Sequence, residues 1–407
     1  MIKRFSVILV LLILLANSLP FFEGRSHATG EGESKEEFSA GLAGQLSQFY
    51  KEKETRTSAE RKIDSRVLKA VGVARSQAAA LPKGEGARFS LLSTSLLKID
   101  DPGNIEIKLN VTSVGREQLL QLEALGMKII WTLPEYGIVE GRVSYQQVEA
   151  IAGLDFVSNV TTPGYPVYNT GSINSEGDAV TRAAEARASF GVSGSGIKVG
   201  VMSDGVTHLS NSVASGDLPS SPAVHVLKAG SGDEGTAMLE IVNDLAPGSP
   251  LAFYAPTSST DMVAGIRALR DAGSKVIVDD ITFLDEPKFE DGPIALEARA
   301  FYTGGGVYVT SAGNSAGSHY SHAYVQMAGP GGDYPFAHDY GSGDIGNTFS
   351  VPNGGSLTTI LHWNNKWGLS GDDFDIFLIR SSDGTPLTAG TNTQDGNDSP
   401  FEGLSWT

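Results

Sequence analysis

The fold is decided by the stretch IKVGVMSDGV at residues 197–206. An apolar, β-branched run of this length, closed by a carboxylate and a glycine, is typical of a buried strand that ends in a polar loop. Similar runs follow at residues 223–228, 250–254, 275–280 and 306–312, and helical patterns separate them at residues 235–245, 260–271 and 293–302. Strands that alternate with helices predict an α/β fold with a doubly wound, mainly parallel sheet.

The composition of the 407-residue chain excludes several classes of function. It carries 47 acidic and 30 basic residues, a net charge of −17, which repels nucleic acid and predicts no nucleic-acid partner. Residues 196–407 hold 25 acids against 9 bases, so nearly all of the excess negative charge lies in this part. The sequence contains no cysteine, which excludes disulfides, thiolate metal sites and a cysteine nucleophile.

The N-terminus has the pattern of a secretory signal peptide over residues 1–28. Lys3 and Arg4 precede the apolar run FSVILVLLILLA, and small and polar residues follow it. The run is short for a membrane span, which needs about 20 apolar residues. The sequence therefore predicts a secreted, extracellular protein without stable membrane association after cleavage. An uncleaved N-terminal membrane anchor is the alternative.

Three further regions flank the α/β pattern. Residues 29–95 are polar and charge-mixed, which predicts a linker or a solvated helix without chemistry. Residues 96–165 have the order βαββαβ, beginning with the alternating run NIEIKLN, which predicts a small two-layer α+β plait. Residues 346–407 have short alternating strands with Gly, Asn and Asp turns, which predict an antiparallel β-sandwich that is incomplete at residue 407.

Three polar side chains mark the candidate site of the α/β region. Asp204 follows the first strand, Glu234 stands in the glycine-flanked run GDEGT, and Asn314 follows the strand that ends in AGN. Because such sheets bind ligands at the carboxyl ends of their strands, we expect the three to lie close together. Structural explanations stay open for each: an Asp-Gly turn, a capping box of Ser231 and Glu234, and an ordinary Gly-Asn turn.

These motifs resemble those of the subtilisin-like and sedolisin-like serine peptidase superfamily. The run IKVGVMSDGV is similar to its acid-bearing first strand, and GGVYVTSAGNSAG to the strand and turn that hold the oxyanion amide. DEGTAMLEIVNDLAPGSPLAFY is similar to the segment in which Gly-Thr follows the base, and VIVDDITFLDEPKFEDGPIALEARAFY resembles the sedolisin-like subgroup. The resemblance covers residues 178–345, with the motifs in the superfamily's order.

The resemblance implies a subtilisin-like peptidase domain at residues 178–345 and a secreted serine-type endopeptidase that acts on proteins or peptides. It implies Glu234 as the base, with Asp204 as its candidate acidic partner and Asn314 as the oxyanion donor. The βαββαβ plait is similar to the propeptides of such zymogens, so the protein's own propeptide is an expected partner. The sequence departs from the sedolisin-like pattern at three positions. Ser203 takes the place of the usual strand-end acid, Met238 that of an expected aspartate, and Asn314 is the subtilisin choice where sedolisins carry an acid.

The resemblance does not extend to the segment that carries the superfamily's nucleophilic serine. The superfamily's serine stands in a Gly-Thr-Ser-small-Ala-x-Pro stretch, which these 407 residues do not contain. We therefore expect a fragment that ends before that stretch and is inactive in this form. A catalytically dead protein, or a ligand-binding or adhesion protein on the same fold, is the alternative.

Other polar residues have weaker patterns. Asp279 and Asp280 are compatible with a second acidic partner or a cation site, although a solvated strand end is favoured. His208 is the reserve candidate for the base. The H-x-x-H spacing at residues 319–322 lacks the helix of zinc peptidases, so we assign it no metal. No cofactor is expected to be required, and the Asp-rich loop at residues 371–375 leaves structural calcium open.

Overall fold

The structure is a computed structural model, which describes residues 6–13, 35–80, 88–168, 176–315 and 317–407. The chain forms two compact units. The α/β unit comprises Gly164–Glu286 and Asp291–Ser318, and the composite unit comprises Met1–Pro163, Pro287–Glu290 and His319–Thr407. The α/β unit thus ends at Ser318, whereas the sequence predicted that its domain extends to residue 345.

Nineteen strands and eleven α-helices, numbered in chain order, are found in the described residues, together with two short 3-10 helices at Phe89–Leu92 and Pro134–Tyr136. The strands are β1 (Ser6–Ile13), β2 (Asn104–Val111), β3 (Lys128–Leu133), β4 (Ile138–Ser144), β5 (Val157–Thr161), β6 (Pro166–Tyr168), β7 (Val199–Met202), β8 (His225–Lys228), β9 (Leu251–Tyr254), β10 (Val276–Asp279), β11 (Ile281–Phe283), β12 (Val307–Thr310), β13 (Gln326–Gly331), β14 (Tyr334–His338), β15 (Gly346–Phe349), β16 (Leu357–His362), β17 (Asp373–Arg380), β18 (Pro386–Gly390) and β19 (Phe401–Trp406). The helices are α1 (Lys35–Glu54), α2 (Ser58–Arg61), α3 (Ser65–Ala80), α4 (Arg116–Ala124), α5 (Val148–Ala152), α6 (Gly177–Val180), α7 (Ala183–Phe190), α8 (Leu209–Ser215), α9 (Glu234–Leu245), α10 (Ser259–Asp271) and α11 (Pro293–Thr303).

The α/β unit is built on a five-stranded sheet in the order β12-β10-β7-β9-β8, in which every pairing is parallel. Its strands lie where the sequence predicts them, because short apolar, β-branched runs can be buried on both faces. β7 and β9 lie inside the sheet and all of their residues are buried. The predicted mainly parallel α/β sheet is confirmed.

Helices cover both faces of this sheet. Val201 and Phe253 pack with Leu239 of α9 on one face, and Met202 packs with Ile266 of α10 on the other. Successive strand residues point to opposite faces, so neighbouring positions of β7 belong to two different cores. This is the doubly wound arrangement that the alternation of strands and helices predicts.

Residues 104–161 of the composite unit form the βαββαβ order predicted from the sequence, β2-α4-β3-β4-α5-β5. The strands pair antiparallel in the order β3-β4-β2-β5. The alternation in NIEIKLN places Ile105, Ile107 and Leu109 on one face, where all three are fully buried in a core that includes Ile151 of α5. The role of this plait as a propeptide stays a prediction.

Residues 29–95 are mostly helical where the structure describes them, as the polar helical alternative predicts, but these helices are not solvated on all sides. Val67 and Val71 lie on one face of α3 and are buried in the core of the plait. Leu42 and Leu46 of α1 are buried in a second core together with residues of the C-terminal strands. A few apolar residues at helical spacing are enough to anchor these helices, although most of their positions are polar.

The C-terminal strands form two sheets. β13 pairs antiparallel with β14, β17 with β18, and β16 with β19, whereas β1 pairs in parallel with β14, β15 and β17. Phe377 and Ile379 of β17 pack in the core that contains α1, and Ile376 and Leu378 pack in a core with β16 and β19. The predicted antiparallel sandwich at residues 346–407 therefore covers only part of this region. The strands begin at residue 326, and three of them pair in parallel with β1.

Strand β1 belongs to the stretch that the sequence predicts as a signal peptide, of which residues 1–5 and 14–28 lie outside the described residues. Its pairing does not test export, which stays a prediction. Among the described residues, no helix combines the length and the apolar character needed to cross a membrane.

Candidate active site

The carboxyl ends of three neighbouring strands lie side by side at one edge of the parallel sheet. Met202 of β7 is paired with Asp279 of β10, which is paired with Thr310 of β12. The residues that follow, Ser203 and Asp280, therefore leave the sheet at the same level. In doubly wound sheets this edge is the usual position of a ligand site.

Ser203 and Asp280 form the buried part of the candidate site. The Ser203 hydroxyl donates a hydrogen bond to Oδ2 of Asp280 at 3.1 Å, and the two residues are 0% and 8% exposed. Burial raises the pKa of Asp280 to about 6, the hydrogen bond from Ser203 lowers it, and the negative charge of Glu234 raises it. Asp280 and Glu234 are therefore near enough for their charges to interact.

Glu234 is the first residue of α9, and Asp233 occupies the N-cap position. A capping box would need Ser231 at that position, so the S-x-x-E spacing does not form one. A carboxylate in the first turn of a helix is favoured by the partial positive charge of the helix N-terminus. The helix start thus holds Glu234 at the carboxyl edge of the sheet, on the side of Asp280.

Asp204 has a contact with the same helix start. Its Oδ1 accepts hydrogen bonds from the backbone N–H of Gly205 at 2.5 Å and of Gly235 at 3.2 Å. Asp204 therefore ties the end of β7 to the first turn of α9. The sequence predicted Asp204 as the acidic partner of Glu234, and its contact with Gly235 places it beside the first turn of α9. A catalytic role of Asp204 stays a prediction.

Gly235 allows α9 to start directly against the sheet. A Cβ at this position would lie 2.3 Å from Cε2 of Phe253 and 2.6 Å from the carbonyl oxygen of Gly205. Neither distance is compatible with a side chain, because Phe253 is fully buried and the second atom is backbone. The glycine of the DEGT run is thus required by close packing beneath Glu234.

Asp279 points away from Asp280 because successive strand residues alternate between the faces. Its Oδ1 accepts hydrogen bonds from Thr310 Oγ1 at 2.9 Å and from the backbone N–H of Ile281 at 3.1 Å. Burial raises its pKa. The favoured prediction of a solvated strand end is wrong, since Asp279 is 5% and Asp280 is 8% exposed.

His208, the reserve candidate for the base, is paired with Asp233. The Nδ1 atom of His208 lies 2.6 Å from Oδ2 of Asp233, and the backbone N–H of His208 donates to Oδ1 at 2.7 Å. These hydrogen bonds lower the pKa of Asp233. Both side chains are largely exposed, so the pair stands at the surface and not in the buried part of the site.

Asn314 lies exposed in the loop that follows β12, where Gly313 has a φ of +72°. Its role as an oxyanion donor stays a prediction. Met238, at the position where the resemblance calls for an aspartate, packs in the core on the α9 face of the sheet. Asp280 is the buried carboxylate that follows the neighbouring strand β10. Sequence reasoning ranked Asp280 low, although its place directly after a buried strand was the signal for it.

The structure gives no support to a metal site in the described ranges. No group of three or more His, Cys, Asp or Glu residues in these ranges is arranged to hold an ion. Two aspartates of the Asp-rich loop that left calcium open, Asp373 and Asp375, bind the ammonium group of Lys53. His319 and His322 belong to the composite unit and not to the α/β unit.

Substituting Ser203 by alanine is expected to raise the pKa of Asp280 by roughly one unit from its value of about 6, because the hydrogen bond from Ser203 stabilises the ionised form. The measurement is a carbon-13 NMR titration of the carboxyl group, assigned with Asp280→Asn. The pKa of Asp280 in the folded state lies above the ordinary value near 3.9. Ionisation of Asp280 therefore lowers the free energy of unfolding of the α/β unit as the pH rises from about 4 to 6. Ser231→Ala, an exposed serine at the same edge, is the control; an unchanged Asp280 pKa in Ser203→Ala would refute the assignment.

The chain matches no protein-family model and no curated protein sequence. Among solved structures it is similar to the epidermin leader peptide processing serine protease (EpiP) from Staphylococcus aureus. The structure of a Ser-to-Ala mutant at 1.95 Å gives a TM-score of 0.38 at 12% identity over 61% of this chain and 70% of that chain. The structure at 2.05 Å without that mutation gives 0.35 at 12% identity over 61% and 69%.

Proposed function

We propose that the α/β unit is the core of a secreted serine-type endopeptidase in which Glu234 is the base. The observation that carries the proposal is the pair of carboxylates at the carboxyl edge of the parallel sheet: Glu234 at the start of α9 and the buried Asp280. The order of the motifs along the chain and their resemblance to the serine peptidase superfamily support the same interpretation.

The carboxylate pair supplies the proton chemistry. A serine hydroxyl is a weak nucleophile until a base removes its proton, and a carboxylate does this well only when its pKa is moved toward the working pH. Two neighbouring carboxylates repel each other when both are ionised, so they bind a shared proton at a higher pH than either would alone. Ser203 holds Asp280 in place, and Asp204 holds the first turn of α9; both are positioning residues in this proposal.

In the proposed reaction, Glu234 accepts the serine hydroxyl proton while the serine oxygen forms a bond to the peptide carbonyl carbon. The side-chain amide of Asn314 donates a hydrogen bond to the resulting oxyanion. Glu234 then passes the proton to the amide nitrogen as the C–N bond breaks. Water hydrolyses the acyl-enzyme by the same route, and no cofactor takes part.

The nucleophile is not assigned to a residue of this sequence. Ser203 is fully buried and its hydroxyl donates a hydrogen bond to Asp280, so it is not placed to attack a substrate. The test is the reading frame that follows the codon of Thr407. A Gly-Thr-Ser stretch at the start of a helix supports the peptidase. A reading frame without that stretch supports the second candidate, a catalytically dead or ligand-binding protein on the same fold.

Export with removal of the N-terminal segment is expected, because Lys3 and Arg4 precede a short apolar run. Mass spectrometry of the protein isolated from the medium should find a mature N-terminus near residue 29. Extracellular protein that still begins with Met1 would disprove the cleavage. Membrane-bound protein that begins with Met1 would instead show the uncleaved anchor.

A further inference from the structure

A lysine near the end of α1 is the centre of a buried charge cluster in the composite unit. The ammonium group of Lys53 donates hydrogen bonds to Oδ1 of Asp373 at 2.8 Å and of Asp375 at 2.7 Å. Lys53 is 3% exposed, Asp375 is 0% exposed, and the charge of Glu402, also fully buried, acts on Lys53. Buried carboxylates need a positive partner, and α1 supplies it to the C-terminal strands.

The residues after Lys53 continue this contact. Nη1 of Arg56 donates to the carbonyl oxygen of Thr391 at 2.7 Å, and the backbone N–H of Ser65 donates to Oδ1 of Asn392 at 2.7 Å. The guanidinium of Arg66 lies 5.2 Å from the ring centre of Phe401. A succession of donors from α1 to α3 thus meets carbonyl, amide and aromatic groups between β18 and β19.

An apolar stripe lies on the same side of α1. Leu42 and Leu46 are buried, and the Phe49 ring packs edge-on against Phe377 with centroids 5.8 Å apart. With Lys53 these residues follow the spacing i, i+4, i+7 and i+11, which places them on one face of a helix. The face therefore combines an apolar anchor with a single buried cation at its end.

We propose that residues 35–80, called the N-terminal clamp below, act as a tightly bound subunit, held by the C-terminal strands through α1 and by the plait through α3, so that the clamp stays attached after the chain is cut between Ala80 and Arg88. The surface on the C-terminal strands is an interaction site for an amphipathic helix with one lysine at its end, and α1 occupies it. The contacts of the clamp with these strands are made by side chains that do not depend on the connection to the plait. This inference is independent of the proposed peptidase activity.

The test uses the full chain with a specific protease site placed between Ala80 and Arg88. The folded protein is cut, diluted and passed through gel filtration, and the clamp is quantified in the main peak. We expect the clamp to co-elute with the rest of the chain. In Lys53→Met, which leaves the carboxylates without their cation, we expect the dissociation constant of the clamp to rise roughly 100- to 1,000-fold. Lys51→Met, an exposed lysine on the same helix, is the matched control and should change it less than about twofold.

Two results would overturn the proposal: a clamp of the cut wild-type chain that separates on dilution, or equal losses in Lys53→Met and Lys51→Met. The first measurement needs no variant, but α3 also packs in the plait core, so the variants on α1 show how much of the retention comes from the C-terminal strands. If Lys53→Met does not accumulate as folded protein, Leu46→Ala takes its place. Leu46→Ala then tests the apolar half of the contact and should also weaken retention of the clamp, because its side chain is fully buried.

Discussion

Substituting Glu234 by glutamine is expected to lower kcat/KM for peptide hydrolysis by roughly 10²- to 10⁴-fold, the usual contribution of a positioned base. The amide keeps the size of the side chain but cannot accept the proton. The assay needs the nucleophile, so it is run on the product of the complete reading frame. We expect the unsubstituted enzyme to work best at acidic pH, because the ordinary pKa of a glutamate is about 4.3 and burial raises the pKa of its neighbour Asp280 only to about 6.

The pH–rate profile separates the two candidate bases. His208→Gln is the control and should keep the activity within about twofold, since its ring is held at the surface by Asp233. Asp280→Asn should shift the acidic limb to lower pH, because the neighbouring negative charge is removed. A neutral or alkaline optimum, or a fully active Glu234→Gln, would transfer the role of base to His208. Circular dichroism of each variant verifies the fold.

Substituting Phe253 by alanine is expected to lower the free energy of unfolding of the α/β unit by about 3–5 kcal/mol. The ring is fully buried inside the parallel sheet and lies directly under the first turn of α9, as the 2.3 Å approach of a Cβ at Gly235 shows. The cavity would therefore remove both core packing and the support of Glu234. Urea denaturation measures the loss of stability, and the peptidase assay measures the loss of activity.

The chain offers a matched control for this substitution in the same unit. Phe190 at the end of α7 is 77% exposed, so Phe190→Ala should change the free energy of unfolding by no more than about 0.5 kcal/mol. Similar losses for the two variants would mean that Phe253 does not carry the core of the α/β unit. The two units can unfold in separate steps, so the comparison uses the transition that Phe253→Ala shifts.

The sequence predicts the elements of both units well where burial is periodic. Val199–Met202 and the NIEIKLN run were found because their patterns match buried strands. The helices of the clamp were one of the predicted alternatives, but their burial was missed, because two valines, Val67 and Val71, carry the burial of α3, whose other residues are mostly polar or small. The hydrophobic pattern therefore predicted the strands and helices themselves. It did not predict which of the mostly polar helices would be buried against other parts of the chain.

The candidate site was predicted in part. Glu234 lies at the carboxyl edge of the sheet, as the run GDEGT suggested, because a glycine after the acid lets the helix start against a strand. Asp204, the predicted acidic partner of Glu234, stays a prediction in that role, and Asp280 is a second carboxylate near Glu234 that was ranked low. The sequence could not decide between the two acids, because each stands at the end of a predicted strand. In the structure Asp204 accepts hydrogen bonds from backbone amides, and Asp280 accepts one from the serine that follows the adjacent strand.

The ion pair of Lys53 joins residues 320 positions apart along the chain. A ribosome that adds roughly 5–20 residues per second needs about 16 to 64 seconds to travel that distance. During this interval the leucines of α1 have been made and the strands that cover them have not, whereas the whole α/β unit emerges in between. Synthesis therefore favours an order in which the α/β unit folds before the composite unit is complete, and the leucines of α1 stay uncovered until β17 has been made.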